Sequence, residues 1–199
     1  MRYSVLSFTF ALIFSGCSVT APAVDEYTLL PIQRTLPKTS PLSTKTLSVA
    51  PSKPIGSLGG KNLVYLHENG LSGTYLYSRW SDTPSAMMQR SLLAMLNKEA
   101  LFASLSPNTT LAQTDWVLES DLDAFYHRLY KNRSEGYIDI TYRLVDTRTK
   151  QLLASKRFNV SFPAATTDAK GGVEALRNAT DDINRQCIDW LITFIKEKK

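Results

Sequence analysis

The sequence predicts an α+β domain of two layers, a mostly antiparallel sheet with two helices packed on one of its faces. Residues 116–162 hold three strand-length segments, the middle one alternating apolar and polar residues. An Asn-Gly pair joins two apolar and aromatic runs between residues 62 and 80. Apolar residues recur at helical spacing once mid-chain and again over the last 27 residues.

From the N-terminus of the domain, Glu26-Tyr27-Thr28-Leu29-Leu30 reads as a short strand ended by Pro31. Gln33 to Ser43 is a Pro-, Ser- and Thr-rich loop. Thr46 to Ala50 is a second short strand, and Pro51 to Lys61 is irregular. Asn62 to Glu68 and Leu71 to Trp80 then form a hairpin about Asn69-Gly70, with positive φ expected at both turn positions. Thr83 offers an N-cap and Pro84 a first helical residue for a helix carrying Met88, Leu92, Met95 and Leu96, which fades over Asn97 to Ala100.

Trp116 to His127, Tyr137 to Asp146 and Gln151 to Phe162 are the three longer strands, turning at Ser134-Glu135-Gly136 and Asp146 to Thr149. In the second, Ile138, Ile140, Tyr142 and Leu144 take one face and Asp139, Thr141 and Arg143 the other. Phe158, Val160 and Phe162 point inward in the third. The chain closes on a helix from Val173 to Lys196, with Ile183, Cys187, Trp190, Leu191 and Phe194 on its apolar stripe. Cys187 is thereby expected to be a free, buried thiol.

Composition narrows the classes. Of 199 residues, 43% are hydrophobic and 21% charged, which excludes wholesale disorder and coiled coil. Two cysteines exclude a disulfide scaffold and a cysteine-rich zinc module. The net charge of +5 is scattered along the chain and gives no basic stripe for a nucleic-acid partner.

Met1-Arg2, an apolar run from Tyr3 to Phe14 and then Ser15-Gly16-Cys17 read as an export signal too short to span a bilayer. Phe14-Ser15-Gly16-Cys17 resembles a bacterial lipobox, with Phe14 standing where leucine is usual. Cleavage at the A-x-A match Ala21-Pro22-Ala23 is the alternative, but it lies far from the apolar run and contains Pro22. The favoured organisation is a signal peptide over 1–16, a lipidated tether over 17–25 acylated at Cys17, and one domain over 26–199. Three acyl chains exceed the two signals that stable anchoring needs. Ser18, where aspartate would favour inner-membrane retention, points to the outer membrane.

The lipobox, Tyr27-Thr28-Leu29-Leu30, the junction Arg79-Trp80-Ser81-Asp82-Thr83-Pro84, the following helix with Leu92, Leu93 and Leu96, and the long C-terminal helix together resemble the ABC-type transport auxiliary lipoproteins, the PqiC-like outer-membrane lipoproteins. Where the family has an extended segment before the junction, this chain has Ile55-Gly56-Ser57-Leu58-Gly59-Gly60. The resemblance implies a non-enzymatic accessory of an envelope phospholipid-transport system. It would sit on the periplasmic face of the outer membrane and dock or receive an MCE-domain protein of an ABC-type transporter. A homo-oligomer is compatible with this reading.

No cofactor or metal is called for by the residues. His67 and His127 are the only histidines and neither has a second ligand at motif spacing. Gly56 to Lys61 falls one residue short of a phosphate loop, and Gly70-Leu71-Ser72-Gly73 one short of a nucleophile elbow. By strand parity Glu119, Asp121, Asp123 and His127 share a face, read as solvated and paired with Arg143 and Arg157 rather than as a calcium site. Tyr75, Tyr77 and Trp80 are candidate partner-binding residues. Parity puts Tyr75 and Tyr77 opposite Thr74 and Leu76, and packing beneath a helix is the stronger expectation. Rival functions are a lipoprotein scaffold of another envelope assembly and, third, a periplasmic hydrolase, for which the sequence offers no nucleophile with a positioned base.

Overall fold

The computed structural model describes residues 22–29, 40–109 and 113–198. Cys17, Leu30 and most of the loop read over Gln33 to Ser43 lie outside the described residues.

The chain runs β1 (Asp25–Tyr27), β2 (Thr46–Val49), β3 (Lys53–Pro54), a 3-10 turn (Gly56–Gly59), β4 (Asn62–His67), β5 (Ser72–Trp80), α1 (Pro84–Glu99), β6 (Ser104–Pro107), β7 (Trp116–Leu129), β8 (Ser134–Asp146), β9 (Leu152–Pro163) and α2 (Ala169–Glu197). The fold is α+β, as the sequence predicts. β7 organises the sheet. One of its edges carries β8 antiparallel over almost its whole length, and β9 follows antiparallel on β8. The other edge takes β2, β3 and β4 in succession, all parallel, at Trp116–Leu118, Asp121–Leu122 and His127–Leu129. β5 pairs antiparallel with β4, and β1 parallel with the end of β5. The long pairings are therefore antiparallel and the short ones parallel. β3 falls in the stretch read as irregular over Pro51 to Lys61, and β6 in a segment for which the sequence predicts no element; each contains a proline, Pro54 and Pro107. β3 is two residues long and β6 is an edge strand held by β2 alone, positions that tolerate a proline.

The helices lie where their patterns place them. Thr83 caps α1 by accepting from the Ala86 amide at 3.3 Å, and Pro84 is its first residue. α2 begins four residues before Val173, because Asp168 caps it by accepting from the Gly171 amide at 2.9 Å. Gly171 and Gly172 weaken a helix by propensity, yet both are helical here. A side chain on Gly172 would collide with the His127 ring and one on Gly171 with Thr166. Asn184 of α2, fully buried, donates from Nδ2 to Ser91 Oγ of α1 at 2.9 Å and ties the helices together.

α2 crosses the sheet at Gly136. A Cβ there would stand 2.5 Å from Leu176 N and 2.6 Å from the Ala175 carbonyl carbon, both helix backbone. Backbone cannot swing aside like a side chain. Gly136→Ala is therefore expected to lift α2 and cost ~1–3 kcal/mol or more, read as a lower urea midpoint. A wild-type midpoint would show that the helix accommodates a methyl group.

Three local expectations are corrected. The hairpin turn has positive φ at Gly70 (85°) and not at Asn69, because the closing bond runs from His67 N to Leu71 O at 2.8 Å and leaves three residues in the loop. Ser134 to Gly136 belong to β8, and the turn before it is closed by Tyr130 N donating to Arg133 O. Phe162 has the parity of buried Phe158 and Val160 but is 37% exposed, since β9 is an edge strand and α2 crosses beside it over Gly136.

Candidate functional site

The acidic face read along β7 is split by a bulge. Pairing shifts between Leu122 and Ala124, so Asp123 has no partner on β8 and the inward parity changes from even to odd positions. Glu119, Asp121 and Asp123 stay on the outer face, while His127 turns into the core and is fully buried. Asp121 meets Arg143 Nη1 at 2.6 Å, as expected of cross-strand neighbours. Arg157 instead grips Asp139 with Nε at 2.8 Å and Nη2 at 2.5 Å, and those bonds hold the Asp139 carboxyl below its ordinary range. Among the described residues no group of three or more His, Cys, Asp or Glu could hold a metal ion.

A second register shift separates the three candidate partner-binding residues. Asn62 pairs with Arg79 but Val64 with Thr74, so β5 has extra residues opposite Leu63. Trp80 enters the core, 1% exposed and edge-to-face with Phe125 at 5.5 Å. Tyr75 is half-buried and Tyr77 is 55% exposed, with Leu76 beside it at 81%. The trio does not make one patch.

Tyr75 belongs to a polar aromatic cluster at the N-terminus of α2. Its Oη is hydrogen-bonded to His127 Nδ1 at 2.7 Å, and its ring stacks near the imidazole at 6.1 Å and meets Tyr65 edge-on at 5.2 Å. Among the described residues His127 Nε2 has no partner. Burial drives the imidazole down to about 4, against the opposing charge of Asp168. Burial, then Asp168 and Tyr65, push the Tyr75 hydroxyl up to about 12. At neutral pH both groups are uncharged. The cluster is suited to fastening β5, β7 and α2 together rather than to proton transfer near pH 7.

Cys187 faces the core beneath β8 and is fully buried and free. Burial raises its thiol well above the ordinary cysteine range. A thiol so placed is expected to resist a maleimide in the native protein and react fully in denaturant. Fast native labelling would contradict the packing of α2. Between α1 and α2 lies a cleft of about 340 Å³ bordered by Leu29, Ser91, Arg177 and Thr180, where Arg177 Nε donates to the Thr28 carbonyl at 2.9 Å. No helix among the described residues is long and apolar enough to cross a membrane.

The fold has relatives of known structure. A Xanthomonas campestris protein matches with TM-score 0.77 and 17% identity, covering 88% of this chain and 98% of that one. An uncharacterized protein matches with TM-score 0.62 and 16% identity over 83% and 99% of the two chains. A hypothetical protein from Chlamydia trachomatis matches with TM-score 0.52 and 9% identity over 77% and 98%. At such identities the likeness is one of fold. No curated protein matches the chain in sequence. A family model described as "ABC-type transport auxiliary lipoprotein component" matches residues 27–187. That match runs from β1 to the apolar stripe of α2, and by it the chain belongs to the family of ABC-type transport auxiliary lipoprotein components.

Proposed function

We propose that this protein is an outer-membrane lipoprotein, acylated at Cys17, that acts without catalysis as a docking or receiving component of an ABC-type phospholipid-transport system. It faces the periplasm, and its partner is the MCE-domain protein of that transporter. The family match over residues 27–187 carries the reading. The export signal and Ser15-Gly16-Cys17 ahead of the matched region support it.

Radiolabelled palmitate is expected to enter the protein, and Cys17→Ala to abolish the label and release a soluble or unprocessed form. Equal labelling of the variant would refute acylation at Cys17. Deleting this protein should give the same envelope-permeability defect as deleting the transporter, and the double deletion should be no worse than either. A clearly more severe double deletion, or turnover of an ester, peptide or glycan by the pure protein, would overturn the role.

A further inference from the structure

The strand pairings give the tether a direction. β1 runs parallel to β5, with Asp25 opposite Ser78 and Tyr27 opposite Trp80. The N-terminal end of β1 therefore points along the edge of β5 toward the hairpin tip at Gly70. The seven Cα–Cα steps from Cys17 to Val24 reach at most ~25 Å. The six steps from Tyr77 back to Leu71, just ahead of β5, span at most ~20 Å. An anchor at Cys17 is thus within reach of this edge and tip.

That edge is unlike the rest of the molecule. Beyond Ser78, β5 has no strand on its outer side among the described residues. It exposes Leu76 at 81%, Leu71 at 62% and Tyr77 at 55%. Burying such side chains is worth far more than leaving them in water, and leucine with tyrosine suits the boundary between headgroups and acyl chains. Cations flank the tip. The pairing of His67 with Leu129 sets the β7–β8 turn beside the hairpin, and that turn exposes Lys131 and Arg133. Arg133 and Arg128 share one carboxylate, Glu135, at 3.4 and 3.8 Å, and Lys131 has no ion pair among the described residues, while Glu68 and Asp168 are the exposed acids nearest this end.

We propose that the β5 edge and the β4–β5 tip are the face this domain lays on the phospholipid surface holding its anchor, with Leu71, Leu76 and Tyr77 entering the headgroup boundary and Lys131 and Arg133 meeting anionic phosphates. The proposal rests on acylation at Cys17. It fixes the orientation of the domain: the opposite end, with the C-termini of α1 and α2 and the β8–β9 turn, points away from the membrane.

The test uses the full-length acylated protein in vesicles of phosphatidylethanolamine and phosphatidylglycerol. Leu71→Cys, Leu76→Cys and, at the far end, Leu152→Cys are each labelled with an environment-sensitive fluorophore, Cys187 being inaccessible. Spin-labelled lipid is expected to quench most of the fluorescence at 71 and 76 and little at 152. Exchanging the anionic lipid for a zwitterionic one should weaken the quenching at 71. Flotation with the vesicles but equal, weak quenching at all three positions overturns the docking face and leaves the anchor standing. So does shielding of 71 and 76 from aqueous quenchers without quenching by lipid, which would assign the edge to a protein contact. Failure to float overturns the anchor, and the docking face with it.

Discussion

Trp80→Ala is expected to destabilise the domain by ~3–5 kcal/mol, the range for truncating a buried tryptophan. Trp80 is 1% exposed and packs edge-to-face on Phe125 of β7. Its amide donates to the Lys61 carbonyl at 2.8 Å, and the next amide, of Ser81, donates to the Tyr27 carbonyl at 2.7 Å. Trp80 and Ser81 together thus tie the end of β5 to β1, to β7 and to the residue preceding β4, ahead of α1. A loss of that size is a large part of the ~5–15 kcal/mol that holds a domain folded. Urea unfolding should show a strongly lowered midpoint, with Trp80→Phe falling between the variant and the wild type. A wild-type midpoint with lost partner capture would instead make Trp80 an interface residue.

Acid should weaken the fold well before the carboxylates titrate. Folded His127 takes up a proton only near pH 4, whereas an unfolded histidine does so near 6.5. Between those values the unfolded chain binds more protons than the folded one, so stability falls as the pH falls through this window. A depression of this size corresponds to about 3 kcal/mol. Asp139 and Asp168 have lowered carboxyl values, so their stabilisation is present above the ordinary carboxylate range and is lost only at lower pH. Asp181 acts in the opposite sense, since burial raises its carboxyl and the folded state gains stability as that group is protonated. The difference in slope between the wild type and a His127 variant, from pH 6.5 to 4.5, therefore reports on His127. Urea titrations there should show a steep pH slope, and His127→Gln should flatten it while lowering stability at pH 7. An unchanged slope in the variant would remove His127 as its cause.

The same histidine shows how far a sequence can be read. Its strand, its neighbours and even its alternation were legible, and the face it occupies was not. Parity carries only as far as the register holds, and one unpaired residue at Asp123 exchanges the two faces of everything after it. β5 repeats the lesson. A shift between Asn62 and Val64 puts Trp80 inside and leaves Tyr77 and Leu76 exposed, so a stripe of aromatics in the sequence is not a patch on the surface. The Gly171-Gly172 start of α2 was hidden for another reason. Propensity argues against helical glycine, and only the ring of His127 and the Thr166 backbone, brought close by the fold, require residues without side chains there.

What the sequence determined alone is local chemistry. The alternation of β8, the Thr83-Pro84 start of α1, the apolar stripe burying Cys187, and the α+β class that follows from their order depend on periodicity and capping within a few residues. Ser15-Gly16-Cys17 likewise carries its expectation of acylation within one short segment. What only the tertiary structure decided is where long-range pairings put those pieces. β7 receives three short strands in parallel along a single edge, and β1 joins β5 in the direction that turns its own N-terminal end toward the hairpin tip. Such pairings join residues tens of positions apart, and their energy lies in contacts that exist only once both partners are placed.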